Sequence, residues 1–182
     1  MRIGVYGGSF HPPHVGHAMV AAWLLWTERV EEVWMVPSFS HPFDKALAPF
    51  AKRIGWCTAL AASVDARVKV SEIERELPTP SYTVSMLQEL ARRHPEHIFH
   101  LVIGADILPT TAQWRAWEVI ARDFAPIVVG RSGYQNPPDT PVFPDVSSTE
   151  VRRRLREGLT VDHLVPAAVL RMLRAADPLW GG

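Results

Sequence analysis

A short apolar run at residues 3–6 leads at once into Gly7-Gly8-Ser9-Phe10-His11-Pro12-Pro13-His14-Val15-Gly16-His17, and then into an apolar segment from 17 to about 30. No other stretch restricts the fold as strongly. A buried strand that breaks at glycines and restarts as a helix is the first unit of an open α/β sheet, and its turn lies where such sheets take ligands. Gly7, Gly8 and Gly16 let a phosphate approach the backbone, while the helix start offers unpaired N–H groups and a partial positive charge. His14 and His17 add side-chain donors, so the segment reads as an anion site.

The alternation continues downstream. Strands are expected at 32–36, 67–73, 97–103 and 125–129, with helices at 50–63, from Ser81 as cap to about 93, and at 114–122. In the third helix Val84, Leu87, Leu90 and Ala91 share one face. Residues 131–144, rich in Pro and Gly, form a loop, and two short helices follow, from Ser148 to about 157 and from Pro166 to about 175. This is the order of a Rossmann-like α/β fold: a mostly parallel, doubly wound sheet with helices on both faces and right-handed crossovers. One domain over 1–182 is expected, with a helical subregion at about 147–176.

Composition narrows the partners. Lys plus Arg equals Asp plus Glu at 19 each, which disfavours a broad nucleic-acid footprint and leaves anion binding to a local site. Cys57 is alone, so an internal disulfide and a multi-Cys zinc site are excluded, and a cytoplasmic location is expected. The longest apolar run, 18–26, is too short for a membrane span, and the start of the chain lacks a signal-peptide pattern.

Neither the dinucleotide fingerprint nor the P-loop is present, which disfavours hydride transfer and ordinary kinase chemistry. His11, His14 and His17 recur every third residue, but Pro12 and Pro13 interrupt the helix that would align them on a metal, and no metal ligands are assigned.

The pattern Gly8, Phe10, Pro12, His14, Gly16 and His17 resembles the G-x-F-x-P-x-H-x-G-H signature of the nucleotidyltransferase superfamily. Further stretches are similar to nicotinate-mononucleotide adenylyltransferases. They are Glu74-Arg75-Glu76-Leu77 with Pro80-Ser81-Tyr82-Thr83, then Ile103-Gly104-Ala105-Asp106 followed by Trp114, and finally Val146-Ser147-Ser148-Thr149-Glu150-Val151-Arg152. The motifs stand in family order over nearly the whole chain.

The resemblance implies transfer of AMP from ATP to nicotinate mononucleotide in NAD biosynthesis, with a magnesium ion, loss of pyrophosphate and no covalent enzyme intermediate. It places His14, His17 and Arg152 in the catalytic set. Gly7, Gly8, Ser9, Phe10, Gly16, Lys45, Ser148 and Thr149 fall to the triphosphate, and Ser81, Tyr82, Thr83, Gly104, Asp106 and Trp114 to the acceptor. An aromatic ring at Trp114 suits stacking on a pyridine, and Asp106 suits ribose hydroxyls. Ser147 and Glu150 also read as a capping box.

His11 stands where the family usually carries Asp, the stretch after Phe39 departs from the usual basic pattern, and the 131–144 loop is short. Two other readings therefore stand beside the first. One is a related adenylyl- or cytidylyltransferase acting on phosphopantetheine or nicotinamide mononucleotide, and the other a nucleotide-binding regulatory module without turnover.

Overall fold

A computed structural model describes residues 1–39 and 47–175. Five strands, β1 (Arg2–Gly8), β2 (Glu32–Pro37), β3 (Val68–Val70), β4 (Ile98–Gly104) and β5 (Ile127–Val129), pair in parallel in the order β3-β2-β1-β4-β5. The helices are α1 (Val15–Trp26), α2 (Phe50–Val64), α3 (Thr83–Arg93), α4 (Trp117–Asp123), α5 (Ser148–Arg156) and α6 (Ala167–Ala175). The expected doubly wound architecture is what the chain adopts.

Strand alternation sorts the core into two layers, because successive side chains leave opposite faces of a sheet. Val33, Met35 and Val102 join Leu24 and Leu25 of α1, Trp56 and Leu60 of α2, and Val169 of α6. Ile3, Val5, Leu101 and Ile103 face the other way, onto Leu87 and Leu90 of α3 and Ile120 of α4. Leu60 and Leu87 are fully buried; truncating such a residue to Ala costs about 2–5 kcal/mol.

Several boundaries moved for identifiable reasons. Gly7 and Gly8 do not break β1 but pair with Val36 and Pro37; the turn comes at Phe10, whose φ of 45° is left-handed. α1 stops at Trp26, where Thr27 Oγ1 donates to the Trp23 carbonyl at 2.7 Å and Glu28 turns left-handed. β3 keeps only Val68–Val70, since a 3-10 turn takes Ile73–Glu76. The expected helix from Trp114 begins at Trp117, because Ala116 has a φ of 53° and Trp114 closes a separate 3-10 turn, Leu108–Gln113.

Candidate active site

Going outward from β1, the chain runs to β2 and β3 on one side and to β4 and β5 on the other, so the crossover direction reverses between β1 and β4. A parallel sheet opens a crevice at the carboxyl ends of the strands at such a point. Here it is a cleft of about 440 Å³. Gly7, Gly8, Ser9, His14, Gly16 and His17 line it from β1 and α1; Thr83, Gly104, Asp106 and Trp114 line it from the α3 and β4 side. Ten of the expected site residues thus share one cavity, although up to 107 positions separate them in sequence.

The two histidines form its most ordered feature. His14 is the N-cap of α1, in extended backbone, and its N–H donates to His17 Nδ1 at 3.1 Å. A ring nitrogen that accepts carries no proton, so His17 is held as the tautomer with its proton on Nε2. The rings lie 3.7 Å apart at 31°, and Phe10 and Tyr6 support His17 at 4.9 and 5.8 Å. Phe10 itself is buried beneath the cleft.

Burial pushes His14 down to about 3, with the Arg131 charge adding to it, and holds His17 well below its ordinary value. At neutral pH both rings are therefore uncharged, and each keeps one N–H to offer a ligand. His14 Nδ1 is buried without a hydrogen-bond partner among the described residues. An anion in the cleft opposes these shifts, because negative charge favours the protonated ring.

His11 behaves as a packing residue. Its Nε2 accepts from the Ala48 N–H at 3.3 Å, its ring stacks on Trp56 at 6.3 Å, and burial, followed by Arg152 and Arg53, pushes it down to about 4. The sign of the stability effect follows. Below 6.5 the unfolded chain protonates these rings before the folded chain does, so stability present above that pH is lost as pH falls towards 4 at His11 and 3 at His14. The urea midpoint is expected to be lower at about pH 5 than at about pH 7. Carboxylates held low, such as Glu89 and Glu150, contribute only below their ordinary 4.5. A midpoint that stays flat between those two pH values would contradict the burial of neutral rings.

Gly16 gives His14 its place: a Cβ there would lie 3.0 Å from His14 Nδ1 and 3.1 Å from its Cε1. Gly16→Ala is expected to cut turnover about tenfold while the thermal midpoint barely moves, because alanine favours the helix by about 1 kcal/mol as the clash opposes it. Unchanged turnover would show that the ring position is not needed.

α5 closes the β1 turn from above. Ser147 caps it, accepting from the Glu150 N–H at 3.1 Å. The Glu150 side chain does not complete the expected box; it pairs with Arg153 and Arg154. Ser148 Oγ donates to the Pro12 carbonyl at 2.9 Å, and Arg152 donates to the His11 carbonyl at 2.7 Å and to Thr149 Oγ1 at 3.3 Å. Ser148 and Arg152 thus hold the loop backbone, Thr149 braces Arg152, and none of the three lines the cavity. Arg53, fully buried, secures the same turn by donating to the Ser9 and Ala48 carbonyls.

On the α3 side Ser81 is not a cap. Its hydroxyl donates to the Glu74 carboxylate, and Tyr82 takes the N-cap position without a side-chain bond. Tyr82 lies outside the cavity beneath the Arg115 guanidinium, 4.7 Å from its ring centre. Asp106 pairs with Arg131 at 3.3 Å, and a Cβ on Gly104 would fall 2.2 Å from Asp106 Oδ1, so a side chain at 104 would turn that carboxylate out of its place. Trp114 meets Trp117 edge-on at 6.0 Å. Lys45 lies outside the described residues.

Sequence reasoning missed Tyr6, Ser38, Glu74 and Arg131 as cleft residues. Ser38 Oγ is buried without a hydrogen-bond partner among the described residues. Ser38 and Arg131 each stand just past the carboxyl end of a strand, β2 and β5, and that position was the available signal.

A cytidylyltransferase-like family model matches residues 5–154, the span from β1 into α5 that contains both walls of the cleft. Fold and site thus define a nucleotidyltransferase. The probable nicotinate-nucleotide adenylyltransferase of Anaeromyxobacter sp. strain K is 48% identical over 173 residues, 93% of this chain and 92% of its own. Its counterpart in Myxococcus xanthus strain DK1622 is 38% identical, covering 96% and 92%. The chain belongs to the nicotinate-nucleotide adenylyltransferase family. Among solved structures, the Plasmodium falciparum nicotinic acid mononucleotide adenylyltransferase complexed with NaAD shares the fold, with a TM-score of 0.79 at 20% identity over 96% of this chain and 95% of that one. Among the described residues no helix is long and apolar enough to cross a membrane.

Proposed function

We propose that this enzyme transfers AMP from ATP to nicotinate mononucleotide. A phosphate oxygen of the acceptor attacks the α-phosphorus of ATP, the bond to the bridging α–β oxygen breaks, and pyrophosphate leaves. The observation that carries the reading is the closely packed, neutral His14–His17 pair at the start of α1, facing into the same cavity as Thr83, Asp106 and Trp114. The imidazole N–H groups and the helix start hold phosphate oxygens and stabilise the charge that builds during transfer, and the cleft walls align the two substrates.

Gly7, Gly8, Ser9 and Gly16 line the triphosphate path. Ser148, Thr149 and Arg152, with Lys45, approach the phosphates once Ser148 and Arg152 exchange the His11 and Pro12 carbonyls for phosphate oxygens. Thr83, Gly104, Asp106 and Trp114 receive the acceptor, flanked by Ser81 and Tyr82. Magnesium fits this cleft as an ion carried on the triphosphate, because no group of three His, Cys, Asp or Glu side chains gathers there among the described residues. When bound, it would supply charge neutralisation at the phosphates. The enzyme works in the cytoplasm, where its buried Cys57 thiol stays reduced.

The test is to supply magnesium with ATP, CTP or GTP against nicotinate mononucleotide, nicotinamide mononucleotide or phosphopantetheine, and to follow pyrophosphate release and adduct mass. Fastest turnover is expected for ATP with nicotinate mononucleotide. Faster turnover with another pair would move the substrate, and triphosphate binding without turnover would make the protein a regulatory module.

A further inference from the structure

Far from the cleft, the connection between α3 and β4 gathers three metal-ligating side chains, His94, Glu96 and His97. His94 Nδ1 lies 3.8 Å and His97 Nε2 3.4 Å from one carboxylate oxygen, Glu96 Oε1. All three donor atoms fall within 4.8 Å of one another. Metal bonds of about 2.0–2.2 Å put donors around a tetrahedral ion about 3.3–3.6 Å apart. Small side-chain rotations bring this set to that spacing.

The rings are already oriented. Trp34 packs edge-on against both, at 5.1 Å and 89° to His94 and at 6.1 Å and 86° to His97, and is itself fixed by donating from Nε1 to Glu32 at 2.8 Å. The two imidazoles are parallel within 6° at 5.9 Å. Among the described residues His97 Nδ1 has no hydrogen-bond partner, while Nε2 is the ring atom turned to the Glu96 carboxylate. The His97 side chain is 13% exposed and that of Glu96 60%, which leaves an outer side where water completes the coordination. A solvated turn accounts for Glu96 alone; it does not account for two aligned imidazoles meeting at one carboxylate oxygen.

We propose that His94, Glu96 and His97 bind one divalent transition-metal ion of the zinc, cobalt or nickel class. Two imidazoles and a carboxylate suit these cations, whereas magnesium prefers oxygen ligands and octahedral geometry. The site precedes β4 and Gly104 ends it, so the strand's length of about 20 Å separates it from the cleft. The ion ties the end of α3 to the start of β4 and stabilises the fold without entering the reaction, because the unfolded chain offers no assembled site.

Zinc chloride is titrated into the full chain by calorimetry, with the visible absorption of cobalt(II) as a second readout, for the wild type, His94→Ala, Glu96→Gln and His97→Ala. A single ion per chain, a raised thermal midpoint with zinc, and affinity weakened about tenfold or more by each substitution are expected. Pyrophosphate release with magnesium stays unchanged in these variants. If His97→Ala does not fold, His94→Ala and the exposed Glu96→Gln decide the matter. Zinc affinity equal in wild type and variants, or absent at millimolar zinc, overturns the proposal.

Discussion

Replacing His17 with alanine is expected to lower kcat about 100-fold or more, with the chain still folded. The ring's Nδ1 is occupied by the His14 N–H, so its Nε2–H is the group left for a phosphate oxygen. Removing it takes away a preorganised donor and also the surface on which the His14 ring lies at 3.7 Å. The fold loses only a part of its aromatic packing on Tyr6 and Phe10, which shows as a lower thermal midpoint and not as unfolding. Pyrophosphate release at saturating substrates, read beside a melting curve, separates the two effects. A kcat within about threefold of the wild type would remove His17 from the phosphate site.

For Trp114→Ala the expected change falls on one substrate. KM for nicotinate mononucleotide rises about tenfold or more, the scale of one base–aromatic stack, while KM for ATP stays near its wild-type value. Trp114 lines the cavity on the β4 side, braced by Trp117, whereas the His14–His17 pair stands at the start of α1. Titration of each substrate in turn checks it, and equal weakening of both would show that Trp114 shapes the cleft as a whole. Trp114→Phe should recover most of the loss, since a ring face is what the assignment requires.

The parts of this molecule legible in the sequence are those set by local chemistry. The strand core at 3–6 and the Ser147 cap each depend on neighbours within a few residues and stand as read, whereas β1 continues through Gly7 and Gly8 and α1 starts at Val15, two residues before the expected apolar segment. Features set by distant partners were read differently. Ser81 after Pro80 looks like a cap, but Glu74 takes its hydroxyl once the 3-10 turn folds back. The stretch from Trp114 has helical composition, and only the left-handed Ala116 reveals that Trp114 belongs to the cleft and not to α4. Arg131 looks like an ordinary loop residue until β5 sets it beside Asp106. Ser148 and Arg152 were assigned to phosphates, and in the structure they grip the backbone of the loop after β1, at Pro12 and His11.

The reversal of strand order between β1 and β4 has an evolutionary consequence. Most groups assigned to the triphosphate come from one side of the seam, β1 with α1, joined by α5, and those assigned to the acceptor come from the other, β4 with α3 and the 3-10 turn after it. On the proposed assignment, mutation can rework the wall given to the acceptor while the reacting end stays intact. A chain built this way would exchange one small acceptor for another by altering Thr83, Asp106 or Trp114, and inherit its chemistry unaltered.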